Sequence, residues 1–379
     1  MKRLKTYIWQ KPHWPHFRWD AEHLLPLISK ARSLQSRLGA KVGSLGLDLY
    51  NQANADLLTE EVIKTSEIEG ERLNRDSVRS SVAKHLGLSY YGLPLASRSI
   101  DGLVEVLIDA TEHYQKPLTA KRLKGWQAAL FPTGYSGLMK IHVGDWRQAD
   151  EPMQIVSGPL GRETVHYEAV PGEDIDREME RFLSWWNSSL GKQEGLIRAA
   201  LAQFYFVTIH PFEDGNGRLA RAISDMALAQ DENLPTRLYS LSSQIVKEKK
   251  SYYTVLEKCQ KGDGELTPWL SWFLECHMRA IEGATQLISR TLAKGKFWQG
   301  LIHVSLTDRQ RKVINTLLDA GEGGFVGGLT TRKYVSMAKV SRATAFREIT
   351  DLLEKKVLKT NSSKGRSVSY DLNWEYSHE

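Results

Sequence analysis

The dodecapeptide HPFEDGNGRLAR, His210 to Arg221, gathers one histidine, two carboxylates, two glycines and two arginines. Each of these residue types has a use in phosphate chemistry. Glycines on both sides of Asn216 let successive backbone N–H groups converge on an anion, most readily where a helix begins. Arg218 and Arg221 lie three apart on the helix that follows, so their guanidinium forks occupy neighbouring positions of one face. Two such forks suit a polyphosphate better than a single carboxylate. Asp214, just ahead of the glycines, can hold Mg²⁺ bridging phosphate oxygens. His210 ends the preceding helix and can stand across a bound nucleotide as a general base. Taken singly, a His-Pro, a GNG or an arginine pair is an ordinary turn or surface feature. Together, in fixed order, they point to a nucleoside triphosphate.

The elements that must carry this loop are helical. Periodicity through LIRAALAQFYFVTIH stops at His210, because Pro211 cannot continue the helical hydrogen bonding, and RLARAISDMALA begins a new helix. Similar periodicity runs near 47–69, 75–85, 97–114, 119–129, 173–189, 194–209, 217–229, 242–261 and 266–292. One interruption reads as strand: MQIV (153–156) and TVHYEAV (164–170) flank the turn-rich SGPLGRE and predict a β-hairpin.

Before this core, residues 1–46 hold the aromatic, proline-punctuated YIWQKPHWPHFRW. A basic amphipathic helix follows, with Asp20 as its cap and Gly39 or Gly43 as its end. After it, AKGKFWQG (293–300) reads as a bridge to three short helices and then two β-like runs in KTNSSKGRSVSYDL, the winged variant of helix-turn-helix. The expected fold is therefore mainly α in three parts: a small helical region at 1–46, a core at 47–292 and a winged-helix-like domain at 297–379.

Composition narrows the function classes. A chain of 379 residues with 41% hydrophobic and 25% charged residues is globular and long enough for two or three domains. No apolar run reaches the roughly 20 residues that span a bilayer, no apolar stretch follows the N-terminal charges as in a secretory signal, and two cysteines make neither a disulfide framework nor a metal cluster. A cytoplasmic location without membrane contact is expected. The net charge of +6 is uneven: residues 1–46 carry a surplus of seven positive charges, residues 301–379 a surplus of four, and the middle is acidic by five.

The signature HPFx[D/E]GNGRxxR of the Fic family is matched at every position, and the resemblance extends over roughly residues 47–290. It implies a helical core with a β-hairpin flap and transfer of AMP from ATP to a protein hydroxyl, with release of pyrophosphate. Carried across, His210 is the base and Asp214 holds Mg²⁺ between the α- and β-phosphates. Gly215, Asn216, Gly217 and Arg218 form the phosphate nest, and Arg221 meets the γ-phosphate. TSEIEGERL (65–73) resembles the family's inhibitory motif [S/T]xxxE[G/N], with Thr65, Glu69 and Gly70 as its fixed residues on a helix over 50–70. A Glu69–Arg221 pair then occupies the fork that the γ-phosphate needs, and in relatives that remove AMP the same glutamate positions a water.

The hairpin, within 150–170, corresponds to the flap that docks the target's acceptor segment by strand addition. Tyr252, Tyr253 and Gln260 fall where relatives contact adenine or ribose. GDWR (144–147) resembles the approach to the flap, with no catalytic role for Arg147. Gln127 stands where the family pattern leads one to expect histidine.

The ends leave two readings open. If SRATAFREITDLLEKKV were a recognition helix, Arg342, Thr344 and Arg347 would face DNA, with Lys364 and Arg366 on the wing. Glu348, Asp351 and Glu354 on the same helix favour dimerisation or target docking instead. The functions carried forward are a Mg-ATP-dependent protein adenylyltransferase restrained by Glu69, a DNA-binding regulator using the core as a nucleotide sensor, and transfer of a different phosphate-containing group. The partners expected are ATP, a target protein at the flap and a second copy of the chain in a homodimer, with DNA as the alternative.

Overall fold

The structure is a computed structural model that describes residues 7–43, 46–89, 92–148, 153–158, 162–235, 238–321, 324–361 and 368–374. The chain divides into two compact units, Met1–Ala284 and Thr285–Glu379.

In the first unit, α1 (Ala21–Gly43) is followed by α2 (Leu47–Ile68), α3 (Arg75–His85), α4 (Arg98–Glu112) and α5 (Ala120–Leu130). Side chains of Asn74, Ser97 and Thr119 accept from the first-turn amides of α3, α4 and α5, which fixes where each begins. Two antiparallel pairs come next: β1 (Tyr135–Ser136) with β2 (Met139–Lys140), and β3 (Gln154–Ser157) with β4 (Thr164–Glu168). The second is the expected hairpin, irregular between Ile155 and Val156. The first was not foreseen, because two-residue strands carry no measurable alternation. Residues 150–152 and 159–161 of the expected flap lie outside the described residues.

The helices α6 (Ile175–Ser189), α7 (Gly195–Ile209) and α8 (Asn216–Glu232) hold the centre. Every residue of α7 from Leu196 to Ile209 is buried, as a helix apolar around its whole circumference must be. Among its polar residues, Arg198 donates to Ser189 Oγ, the Trp186 carbonyl and Gln230, and stacks 4.0 Å over the Trp186 ring. Because α7 and α8 pack along each other, the loop joining them is held from both sides.

The helix expected over 242–261 is two: α9 (Leu241–Lys247) and α10 (Lys249–Gln260). They part at Glu248, whose carboxylate takes both forks of Arg279 at 2.6 Å. The bridge expected at 293–300 is helical. Its stretch contains no proline, and α11 runs from Thr267 to Gly300, beginning in the first unit and continuing into the second.

The second unit contains α12 (Asp308–Ala320), α13 (Thr331–Ala338), α14 (Arg342–Glu354) and the antiparallel pair β5 (Leu358–Thr360) and β6 (Tyr370–Leu372). Val313, Ile314, Leu317, Tyr334, Ile349 and Leu352 form its own core. Among the described residues no helix is long and apolar enough to cross a membrane.

Candidate active site

His210 closes α7 in the left-handed conformation, φ 55° and ψ 60°, a costly state for a residue with a Cβ. Several bonds hold it there. Its N–H donates to the Phe206 carbonyl at 3.0 Å, and its own carbonyl accepts from Arg147 Nε at 2.8 Å. Arg147 N–H donates to the Pro211 carbonyl at 2.9 Å, and its guanidinium also reaches the Val170 carbonyl. Arg147 is fully buried, and desolvation lowers its pKa to about 10. Through these bonds it clamps the backbone that presents the histidine.

The His210 Nδ1 sits 3.2 Å from the Val207 carbonyl. A carbonyl only accepts, so Nδ1 carries the proton and Nε2 keeps its lone pair. Burial pulls the imidazole pKa down to about 4, against the opposing pull of that Val207 hydrogen bond. His210 is therefore neutral near pH 7 and able to accept a proton.

The turn that follows is pinned by Asn216. Its side chain accepts from Phe212 N–H at 3.0 Å and donates to the Phe212 carbonyl at 2.7 Å. Being buried, Asn216 offers the nest its backbone rather than its side chain. Gly215, at φ 91°, needs its freedom twice over, because a Cβ there would also meet the Phe131 ring at 3.0 Å. The amides of Asn216, Gly217 and Arg218 open α8, where a helix has no carbonyls of its own to satisfy them.

Asp214 stands at the mouth, 41% exposed and 3.9 Å from Arg218, accepting from Ser136 Oγ on β1. Arg218 lies over the Phe131 ring and 3.5 Å from Glu71. No group of three or more His, Cys, Asp or Glu is arranged around a metal among the described residues. One accessible carboxylate beside an anion nest still fits Mg²⁺, which takes one or two carboxylates and completes its shell with phosphate and water oxygens.

Arg221 is buried, and two of its three guanidinium nitrogens are committed to the end of α2. Its Nε donates to Thr65 Oγ1 at 2.7 Å, and one terminal nitrogen donates to the Thr65 carbonyl at 2.9 Å and to Glu69 Oε1 at 2.7 Å. Burial works to lower its pKa, but the Glu69 carboxylate outweighs that and leaves it raised. Glu69 can reach because α2 ends in a Schellman motif. Gly70, at φ 86°, donates to the Glu67 carbonyl and Glu71 to the Ser66 carbonyl. The Glu69 carboxylate then lies flat on Gly217, where a Cβ would meet Oε1 at 2.3 Å.

The expected residues are divided between two cavities that share Glu69. A cavity of about 480 Å³ is lined by His210, Gly217, Arg221, Tyr252, Tyr253, Gln260 and the flap strands, within the size range of nucleotide-sized ligands. A second cavity of about 690 Å³ is lined by Asp214, Arg218, Arg98 and Ser136. Glu69 lines both. Tyr252 and Gln260 are both buried, and Gln260 donates to Thr208 Oγ1 at 3.3 Å. Tyr253 is the more open, with its hydroxyl 3.5 Å from the Ile68 carbonyl.

Sequence reasoning named Arg147 without its clamping role, and missed Ser136 and the flap group Ser157, His166 and Glu257, in which His166 lies 2.6 Å from Ser157 Oγ and 3.0 Å from Glu257. A buried arginine in GDWR had no local signal, since its partners are carbonyls of Val170 and His210. Gln127, the departure from the family pattern, is buried and accepts from Gly144 N–H at 2.7 Å, holding the loop that leads to Arg147.

In the second unit Arg342 and Arg347 are exposed on α14, and Ser341 caps the helix start, its Oγ accepting from Thr344 N–H at 3.2 Å. Glu348 points inward to Arg309 and Tyr334, so it does not oppose an anion at that face. Lys364 and Arg366 lie outside the described residues.

Residues 117–228 match the family described as Fic/DOC family, and residues 7–88 match one described as Domain of unknown function (DUF4172). A Protein adenylyltransferase Fic of Aedes aegypti is 31% identical over 121 residues, 31% of this chain and 22% of that protein. Its namesake in Nematostella vectensis is 29% identical over 114 residues, 29% of this chain and 24% of that protein. The matched segment thus spans under a quarter of the length of these relatives. Among solved structures, a Fic family protein from Desulfovibrio desulfuricans aligns with a TM-score of 0.53 at 17% identity, covering 93% of this chain and 97% of that one. A Fic domain containing signaling protein from Bacteroides thetaiotaomicron aligns with 0.51 at 20%, covering 70% and 96%. These two likenesses bear on the fold alone.

Proposed function

Since the chain carries a Fic domain, we propose that it transfers AMP from ATP to a hydroxyl side chain of a target protein, with release of pyrophosphate. The observation that carries this reading is the meeting of a neutral His210 with its proton on Nδ1, Gly217 at the start of α8 and Arg221 at one cavity. The acceptor hydroxyl gives its proton to His210 Nε2 as its oxygen attacks the α-phosphorus, and the bond from that phosphorus to the pyrophosphate oxygen breaks. Positioning and charge neutralisation carry such a displacement. Asp214 would hold Mg²⁺, which supplies neutralisation of the phosphate charge. The nest of 215–218 receives phosphate oxygens, and Tyr252, Tyr253 and Gln260 line the nucleoside end. The target's acceptor segment docks along the flap.

Glu69 is the brake in this account. While it holds Arg221, the fork meant for the γ-phosphate is taken, and ATP binds in a pose unsuited to attack. The same carboxylate, beside Gly217, is placed to orient a water for AMP removal. The second reading, DNA binding through 297–379, draws on the exposed Arg342 and Arg347 and the inward Glu348. A salt-dependent duplex shift with the full chain decides it.

The principal test compares α- and γ-labelled ATP with lysate proteins. Label from the α-position alone, lost in His210→Ala, supports AMP transfer. Label from the γ-position, or labelling that survives His210→Ala, removes it.

A further inference from the structure

Residues 7–17, in a stretch whose family match carries no assigned function, reach the flap directly. Tyr7 packs edge-on against Tyr167 of β4 with ring centroids 5.2 Å apart, and Tyr7, Tyr167 and Ala169 form a small core with Trp9, Met153 and Ile155 against it. Trp9 Nε1 donates to the Glu168 carbonyl at 2.8 Å. Farther along, Trp14 donates to Glu178 at 2.7 Å, and Trp14 and Phe17 pack on Tyr205, so the segment is anchored on α6 and α7. Tyr167 in turn donates to the Thr208 carbonyl at 2.9 Å, two residues before His210. The chain of contacts therefore runs from Tyr7 through the flap to the catalytic turn.

Peptide geometry then shows which flap edge the arm covers. Ala169 N–H donates to the Met153 carbonyl at 2.9 Å, so it points toward β3. In a trans peptide the preceding carbonyl, that of Glu168, points the opposite way. Trp9 thus caps the outer edge of β4. By the same rule the Met153 carbonyl faces β4, so the Gln154 N–H faces outward, on the side of β3 away from β4. Gln154, Val156 and Ser157 are exposed there.

We infer that the N-terminal arm is a working part of the site: it props the flap over the cavity and closes the β4 edge, so that an acceptor segment adds only along β3. This rests on the proposed docking of a target at the flap. The partner it fits is an extended, hydroxyl-bearing segment that accepts from Gln154 N–H through a backbone carbonyl and lays an apolar side chain beside Val156. Pairing on one side only sets one register, and register decides which hydroxyl reaches His210.

The test uses the full chain carrying Glu69→Gly, with α-labelled ATP and lysate acceptors, and adds Tyr7→Phe, Tyr7→Ala, Gln154→Ala or Gln154→Pro. Proline removes the outward N–H without touching the β3–β4 pairing. The expected result is transfer about tenfold lower in Gln154→Pro than in Gln154→Ala, with MgATP affinity unchanged. Tyr7→Ala is expected to lower transfer similarly and to speed amide hydrogen exchange in 153–157 and 164–168, while Tyr7→Phe restores both. Equal transfer in the two Gln154 variants overturns β3 docking, and unchanged flap exchange in Tyr7→Ala overturns the prop. A parent that labels nothing removes the AMP-transfer reading and with it β3 docking, while the exchange measurement still decides the prop.

Discussion

The start of α8 and the end of α2 are both glycine-punctuated helix termini, and they meet at Arg221. At the start of α8, Gly215 and Gly217 flank amides that attract negative charge, with Arg218 and Arg221 behind them. At the end of α2, Gly70 lets a Schellman turn fold back and hold out a carboxylate. In the proposed function one terminus receives a phosphate and the other imitates one. The two differ also in support. The α7–α8 turn is fixed by Arg147, Asn216 and Gly215 from within the most buried part of the unit, whereas Glu69 is 33% exposed and depends on one contact to Arg221 and its own turn. Under the proposed function, this is the arrangement in which a bound partner can shift Glu69 without disturbing the chemistry.

Breaking the rigid side has the largest effect. His210→Ala is expected to lower AMP transfer by about 10²-fold or more, measured as initial rate at saturating MgATP. Asn216→Ala removes two buried hydrogen bonds from the turn. It should cost about 2 kcal/mol in urea unfolding and weaken MgATP binding. Breaking the light side does less to stability. Gly70→Ala forces a Cβ into a left-handed position and is expected to cost about 1 kcal/mol while raising basal transfer; an unchanged basal rate would detach the turn from the brake. The smallest effect is in pH. Because His210 titrates near 4 rather than near the usual imidazole value, its limb of the transfer profile lies well below pH 6. The sign for stability is the same: between those two values the unfolded chain binds a proton that the folded chain refuses, so stability falls as pH falls through that window. A limb near pH 6.5 that disappears in His210→Ala would show the imidazole to be solvated.

The contrast also explains what could be read without coordinates. The rigid loop was legible because its requirements are local: proline ends a helix, glycine permits Gly215 its φ, and arginines three apart share a face. The Glu69–Arg221 pairing was legible only through the family resemblance, since nothing in spacing alone joins residues so far apart in the chain. The clamping role of Arg147 was not legible, because a guanidinium bonded to backbone carbonyls leaves no trace in the identity of its partners. The β1–β2 pair escaped for its brevity, and α10 was merged with α9 because periodicity does not register a single carboxylate turning aside to Arg279. The arm's grip on the flap is likewise a matter of which way a carbonyl points.

The measurement that bears most directly on a phosphate site with its own brake is incorporation from α-labelled ATP by Glu69→Gly beside the unaltered chain, with His210→Ala added to each. The account predicts about tenfold or greater gain on releasing Arg221, a gain that vanishes with His210. Incorporation by Glu69→Gly no higher than that of the unaltered chain would contradict it.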